Sequence, residues 1–363
     1  MDSIGANPFA ARLDGVRAVA RRRRLDLLVL GNEFNVLSLT GVKSDNGVLV
    51  CGASSHYYTD FRYTVMARRV APWLDTRDIW KPSDGVAGLR AAAALAGVKS
   101  PRRVGYEGSM SARKFLELQR AFPKAKFVDF EREVHRERAV KTADEAAKIA
   151  AAEALNDEIW SAAKKAFRPG MTELEMQRII RGLMAQRGDG EAFETIVCVG
   201  ANAAECHHVP DGTVWRAGEP LLVDMGVKLN DVCSDMTRCI PPKGKYALRA
   251  EYEKVYDIVL KANMAAIAAA KPGMTGCELD AVARKIIGKA GYGKAFGHSL
   301  GHGVGFEIHE APAAAPASDI VLKPGMTVTI EPGIYLPGKF GVRIEDLVLI
   351  TETGCKVLSS SAK

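Results

Sequence analysis

Apolar residues recur at helical spacing near the start of the chain. Phe9, Leu13, Val16, Val19 and Ala20 fall on one face of residues 8–24, which predicts an amphipathic helix. Two short apolar runs follow, 25–31 (LDLLVLG) and 46–51 (NGVLVC), bounded by turn residues as buried strands are. Such runs alternate with helical stretches, 86–96 among them, through residues 26–135. That alternation predicts an α/β domain.

The pattern changes near residue 138. Residues 142–183 are rich in Ala, Glu and Lys with apolar positions at helical period, so two long helices are expected, broken at Arg168-Pro169-Gly170. Residues 273–288 repeat the theme. Beyond them apolar segments shorten and Gly and Pro become dense, which suits strands and turns.

A repeat runs through this second region. Pro169-Gly170-Met171-Thr172 and Pro272-Gly273-Met274-Thr275 each open a helical stretch, with the Thr placed to cap it. The same string at 324–327 precedes a strand, so it is no helix marker by itself. Each helical copy leads to a His-containing loop and then to an apolar strand carrying an acid: Asp224 in LLVD, Glu331 in VTIE. A second acid follows each, Asp235 and Glu345. Two halves, each supplying two carboxylates, predict a duplicated domain with a site near a pseudo-twofold axis.

Composition adds limits. The chain has 363 residues, enough for two domains, and is 47% hydrophobic and 26% charged, as globular proteins are. No apolar run approaches the roughly 18 residues of a membrane span, and no secretory signal is readable. Seven scattered Cys without a C-x-x-C argue against a disulfide framework; a cytoplasmic setting is expected. Residues 1–140 hold 24 Lys and Arg against 15 Asp and Glu. No nucleic-acid motif accompanies that charge, so it reads as solvated helix faces, Arg21 to Arg24 included.

The acids carry the chemistry. Asp224, Glu331 and Glu345 sit in or directly after apolar strands, where a carboxylate costs several kcal/mol unless paired, protonated or metal-bound. Asp235 lies in Cys233-Ser234-Asp235-Met236-Thr237. Arg238 and Arg343 could instead pair with these acids. Five of the seven His lie between 207 and 309, and His298, His302 and His309 share one Gly-rich stretch, 296–309. Four carboxylates and an imidazole form an oxygen-rich set that suits Mn²⁺ or Co²⁺ better than structural Zn²⁺. Such a set can bridge two ions about 3.5–4 Å apart.

The strings VDMG…SDMTR, GHSLGHGVGFEIHE, TIEPGIY and GVRIEDLV resemble the metallopeptidase family of aminopeptidase P, prolidase and methionine aminopeptidase. The resemblance is strong over 138–363, a pita-bread catalytic domain of α+β class. It is weaker over 1–137, which is similar to the creatinase-type N-terminal α/β domain, most clearly at Thr59-Asp60-Phe61-Arg62-Tyr63. It implies two divalent ions, Mn²⁺ foremost with Co²⁺ or Zn²⁺ as alternatives. Asp224, Asp235, His302, Glu331 and Glu345 would be the ligands, with Asp235 and Glu345 bridging. Glu331 would also be general base, His207 and His309 would steady substrate and oxyanion, and His298 and Arg343 would line the substrate pocket. Short peptides with proline second are the implied substrates, and a homodimer the implied assembly, with no membrane or nucleic-acid partner.

Two departures bear on this. The first His reads Cys206-His207-His208 where the family commonly has Pro-His-Gly, so His208 is the alternate. Only Leu-Pro-Gly-Lys-Phe separates Tyr335 from Gly341, lacking an insertion that larger prolidases use toward a free carboxylate. That leans the expectation to Xaa-Pro aminopeptidase, with Xaa-Pro dipeptidase (prolidase) as the alternative. Four further readings weigh less. Gly297-His298-Ser299-Leu300-Gly301 matches the G-x-S-x-G of serine esterases, but glycines and a strand pattern follow Ser299 in place of a helix. Creatinase-like catalysis without metal, and a non-catalytic binding module, both conflict with a full ligand set. Methionine aminopeptidase usually lacks the N-terminal domain.

Overall fold

The computed structural model describes residues 7–79 and 84–363. The chain separates into two compact units, Met1–Arg138 and Ala139–Lys363. In the first, six strands form one mixed sheet in the order Asp75–Asp78, Ser55–Thr59, Val48–Cys51, Leu27–Leu30, Arg103–Tyr106, Lys126–Asp129. Strand Leu27–Leu30 is apolar throughout because both its faces are covered. Leu28 and Leu30 pack with Leu13 and Val16 of the helix Pro8–Arg22. Leu27 and Val29 pack with Leu89 and Ala92 of the helix Gly85–Leu95. The α/β domain expected there is what forms.

The second unit is built twice over. Its first half has helices Ala143–Ala166 and Glu173–Arg187 and a sheet in the order Met236–Ile240, Leu221–Met225, Ile196–Val199. Its second half has helices Arg249–Ala269 and Gly276–Lys289 and a sheet in the order Thr327–Ile330, Asp346–Ile350, Cys355–Val357. A hairpin pairs Gly333–Leu336 with Phe340–Arg343, and a short ribbon pairs Gly301–Gly303 with Glu310–Ala314. Each half has its own core. Ile159, Trp160, Ile180, Met184, Val197 and Val223 fill one. Val255, Val259, Leu279, Ile287, Val328 and Val348 fill the other.

The repeated Pro-Gly-Met-Thr string encodes a turn. Gly170, Gly273 and Gly325 all take positive φ, at 98°, 85° and 86°, which a side chain would resist. Thr172 and Thr275 then cap their helices with capping boxes to Glu175 and Glu278. At the third copy, Thr327 starts a strand. The helix Arg249–Ala269 was not anticipated from sequence, although Tyr252, Val255, Val259, Ala262 and Ala266 bury one of its faces. Among the described residues no helix is long and apolar enough to cross a membrane.

Candidate metal centre

Strand geometry brings the acids together. Leu221–Met225 runs antiparallel to Met236–Ile240, placing Asp224 opposite Thr237 and Asp235 just past the ladder's end. Thr327–Ile330 runs antiparallel to Asp346–Ile350 and pairs Ile330 with Asp346, so Glu331 and Glu345 flank that ladder's end. His302 enters from the ribbon Gly301–Gly303. All five residues line one cavity of about 530 Å³, together with His207, His298, His309 and Arg343. Every site residue singled out from the sequence thus faces the same space.

The arrangement is built for cations. Ligand-type atoms of Asp235, His302 and Glu345 lie within 4.8 Å of one another. His302 Nε2 stands 3.5 Å from Asp235 Oδ2 and 3.4 Å from Glu331 Oε1. Its Nδ1 lies 3.1 Å from the Gly303 carbonyl oxygen, which can only accept. Nδ1 therefore carries the proton and the Nε2 lone pair faces the carboxylates, the tautomer a metal ligand needs. Burial, then the neighbouring His309, lowers the His302 pKa to about 4, so the ring is neutral. Burial raises Glu331 to about 8. Burial, and then the surrounding carboxylates, push Asp235 and Glu345 well above the usual range. Asp224 Oδ1 is buried with no hydrogen-bond partner among the described residues. A buried oxygen without a donor is costly, and divalent cations would relieve both it and the repulsion. The residues fit the expected ions.

One expected ion pair does form: Arg343 Nη2 donates to Asp224 Oδ2 at 2.7 Å. Arg238 turns instead to Asp346 and leaves Asp235 alone. Arg343 also leads a chain of fixed direction. Its Nη1 donates to the Tyr335 hydroxyl at 2.9 Å, and that oxygen lies 2.8 Å from His298 Nε2. His298 Nδ1 faces the Ser299 carbonyl at 2.7 Å, and burial lowers the ring to about 4. His298 is therefore neutral with its proton on Nδ1, and the Tyr335 hydroxyl must donate to Nε2.

Sequence reasoning missed several supports. Thr237 Oγ1 donates to Glu345 Oε2 at 2.7 Å and accepts from Arg343 Nε at 2.9 Å. Thr329 Oγ1 donates to Glu331 and accepts from the His302 amide. Glu153, fully buried, accepts from the Asp235 amide at 3.0 Å. The two threonines were legible as in-strand neighbours of acids; Glu153 comes from a distant helix and carries no such signal. Of the histidine pair, His207 is exposed at the cavity while His208 is buried against Glu173. Ser299 is exposed and followed by the strand Gly301–Gly303, so no nucleophile elbow forms.

Comparison with known proteins agrees with this geometry. A Xaa-Pro dipeptidase of Pyrococcus furiosus is 39% identical over 267 residues, 73% of this chain and 76% of that protein. A solved structure described as Xaa-Pro dipeptidase from Bacillus anthracis superposes with a TM-score of 0.91 at 31% identity, covering 98% of each chain. One described as X-Pro aminopeptidase from Thermotoga maritima gives 0.82 at 31%, covering 95% of this chain and 98% of that one. Residues 12–140 match the Creatinase/Prolidase N-terminal domain. Residues 147–352 match metallopeptidase family M24, and it is to this family that the chain, with its pita-bread unit and creatinase-type N-terminal domain, belongs.

Proposed function

We propose that the protein is an Xaa-Pro dipeptidase that hydrolyses the bond between a first residue and a following proline. The observation that carries this reading is the convergence of Asp224, Asp235, His302, Glu331 and Glu345 on one cavity, with a partnerless Asp224 oxygen among them. These five would hold two divalent ions, Mn²⁺ foremost, with Asp235 and Glu345 shared between them. Bound there, the ions would acidify water and polarise the scissile carbonyl.

The chain's own groups supply the rest. Glu331 accepts the proton of the attacking water and passes it to the departing proline nitrogen. His309, half out in solvent with its pKa lowered by burial and by His207, is neutral and offers one N–H to the developing oxyanion. His207 steadies the substrate from the opposite loop. His298, held as acceptor by Tyr335, and Arg343 line the place of the proline ring.

The choice of dipeptidase reverses the lean taken from the sequence. The relatives of P. furiosus and B. anthracis are both described as dipeptidases and match well in sequence and fold. One observation keeps the aminopeptidase as a second reading: only Pro337, Gly338 and Lys339 join the hairpin strands, so no insertion there meets a free carboxylate. The test is cleavage of Ala-Pro and Ala-Pro-Ala by the Mn²⁺-loaded enzyme, before and after chelation. Chelator-sensitive cleavage of Ala-Pro alone supports the dipeptidase. Cleavage of Ala-Pro-Ala alone makes the enzyme an aminopeptidase, and cleavage of neither rejects proline specificity.

A further inference from the structure

A second group of metal-type side chains lies outside the five ligands: Glu173, His208 and Asp211. Its bonding excludes a metal. Glu173 is fully buried at the first turn of the helix Glu173–Arg187. Its Oε1 accepts from the Val199 amide at 2.6 Å and from Asn202 Nδ2 at 3.0 Å. Its Oε2 accepts from His208 Nε2 at 2.8 Å and from the Asp211 amide at 3.1 Å. Four donors saturate a carboxylate. His208 offers no lone pair either, because Nδ1 faces a second carboxylate, Glu205, at 3.4 Å. Burial lowers the His208 pKa, but the Glu173 and Glu205 carboxylates that its ring nitrogens face outweigh that and raise it.

The four donors span residues 199–211, the whole segment that carries Cys206 and His207. We propose that Glu173 and His208 form a clamp that positions this segment and so aims the exposed His207 ring into the cavity. The role given to His207 rests on the function proposed above. Glu173 fixes both ends of the loop through Val199 and Asp211, and His208 fixes its middle, one residue from His207. Without His208 the middle keeps the local bonds of the Glu205 and His208 amides to Asn202 and Glu205, and a long bond from Arg343 Nη1 to the Cys206 carbonyl at 3.4 Å. Positioning of this kind acts on turnover more than on binding, since a misplacement of 1 Å can cost about 10²-fold.

The test uses the full-length protein and three variants, His208→Ala, His208→Gln and Glu173→Gln. Gln at 208 keeps an N–H donor toward Glu173; Gln at 173 turns an acceptor into a donor facing His208. Hydrogen exchange of peptides covering 199–211 is measured first, on metal-free and Mn²⁺-loaded protein. The expected result is exchange roughly tenfold faster there in His208→Ala and Glu173→Gln, with strand 221–225 unchanged and His208→Gln close to wild type. On the better of the two Xaa-Pro substrates, kcat of His208→Ala should fall about tenfold with KM within about threefold, two metals still bound, and His208→Gln largely restored.

Unchanged exchange and kcat in His208→Ala would overturn the clamp. So would exchange rising equally in strand 221–225, which would mark general destabilisation, or loss of a third bound ion. Should Glu173→Gln fail to fold, the two His208 variants still decide. Should the wild type cleave neither substrate, the proposed function fails while the exchange data still judge the clamp.

Discussion

In the first half of the catalytic unit, Asn156 donates to the carbonyl of Met225, beside Asp224; in the second, Asn263 donates to that of Ile330, beside Glu331. Thr172 and Thr275 cap equivalent helices. The amides of Gly170 and Gly273 reach across to Trp215 and Leu322. Against this shared frame the loops differ in sign. In the first half the carboxylate of Glu173 gathers N–H groups of the His207 loop. In the second the guanidinium of Arg284, held by Asp280, gathers the carbonyls of Phe296 and His298. The two halves share the parts that place the acids and differ in the parts that place the histidines. Asp224 and Asp235 come from one half, Glu331, Glu345 and His302 from the other, so neither half alone carries the five proposed ligands.

The largest test of that division removes from each half one acid proposed as a metal ligand. Asp235→Ala and Glu345→Ala should each cut kcat by well over the ~10²-fold that loss of an outer support costs a metal site. Bound metal should fall while circular dichroism stays native. If Asp235→Ala kept two ions and full turnover, the claim that both halves share them would be wrong.

A pH experiment probes the same dependence without mutation. Burial raises Glu331 to about 8, and Asp235 and Glu345 lie well above their ordinary values. Above about pH 6.5, where His298 and His302, lowered to about 4, are neutral in folded and unfolded chains alike, these acids make the metal-free folded chain bind more protons than the unfolded one. Its stability should fall as pH rises from there towards 8. Metal loading should remove that slope by holding the acids as anions, with protons released on binding. Melting curves at pH 7 and 8, with and without Mn²⁺, would show it. Equal slopes in both forms would mean the acids are not the ligands.

Arg284→Met breaks the second half's loop support and leaves the first half intact. The carbonyls of Phe296 and His298 lose their donor, and Asp280 loses its partner though it keeps the Leu300 amide. His298 has no metal to bind, so KM should rise, by roughly tenfold or less, with metal content unchanged. A fall in kcat alone, at constant KM, would place His298 elsewhere than the proline pocket.

How much of this was legible follows the same split. The acids were readable because a charge inside an apolar strand breaks a strong pattern, as in LLVD and VTIE. The histidines were readable from glycine density. The helix Arg249–Ala269 escaped although its buried face is regular, because Lys254, Lys261 and several alanines blur its contrast. Glu173 and Glu153 escaped for a different reason. Each looks like an ordinary helix-surface Glu in sequence, and only the packing of distant loops against it makes it a buried hub. The preference between dipeptide and tripeptide was beyond the sequence, since a missing insertion names no replacement for its role.

The smallest effect discriminates the two asparagines. Asn156→Ala frees one buried carbonyl, that of Met225. Asn263→Ala frees two, those of Ile330 at 2.8 Å and Ile344 at 3.3 Å, and also removes one acceptor of Lys363 Nζ, which keeps its pair with Asp346. An unsatisfied buried group costs about 1–3 kcal/mol, and 1 kcal/mol moves the Tm of a unit this size by roughly 2–4 °C. Asn263→Ala should therefore lower the Tm of metal-free protein by several degrees more than Asn156→Ala. Mn²⁺ should narrow the gap, because ions shared by Glu331 and Glu345 tie together the two strand ends that Asn263 joins. Equal shifts in the metal-free state would mean that the second carbonyl is paid for by water, and that the two halves brace their acids with equal strength.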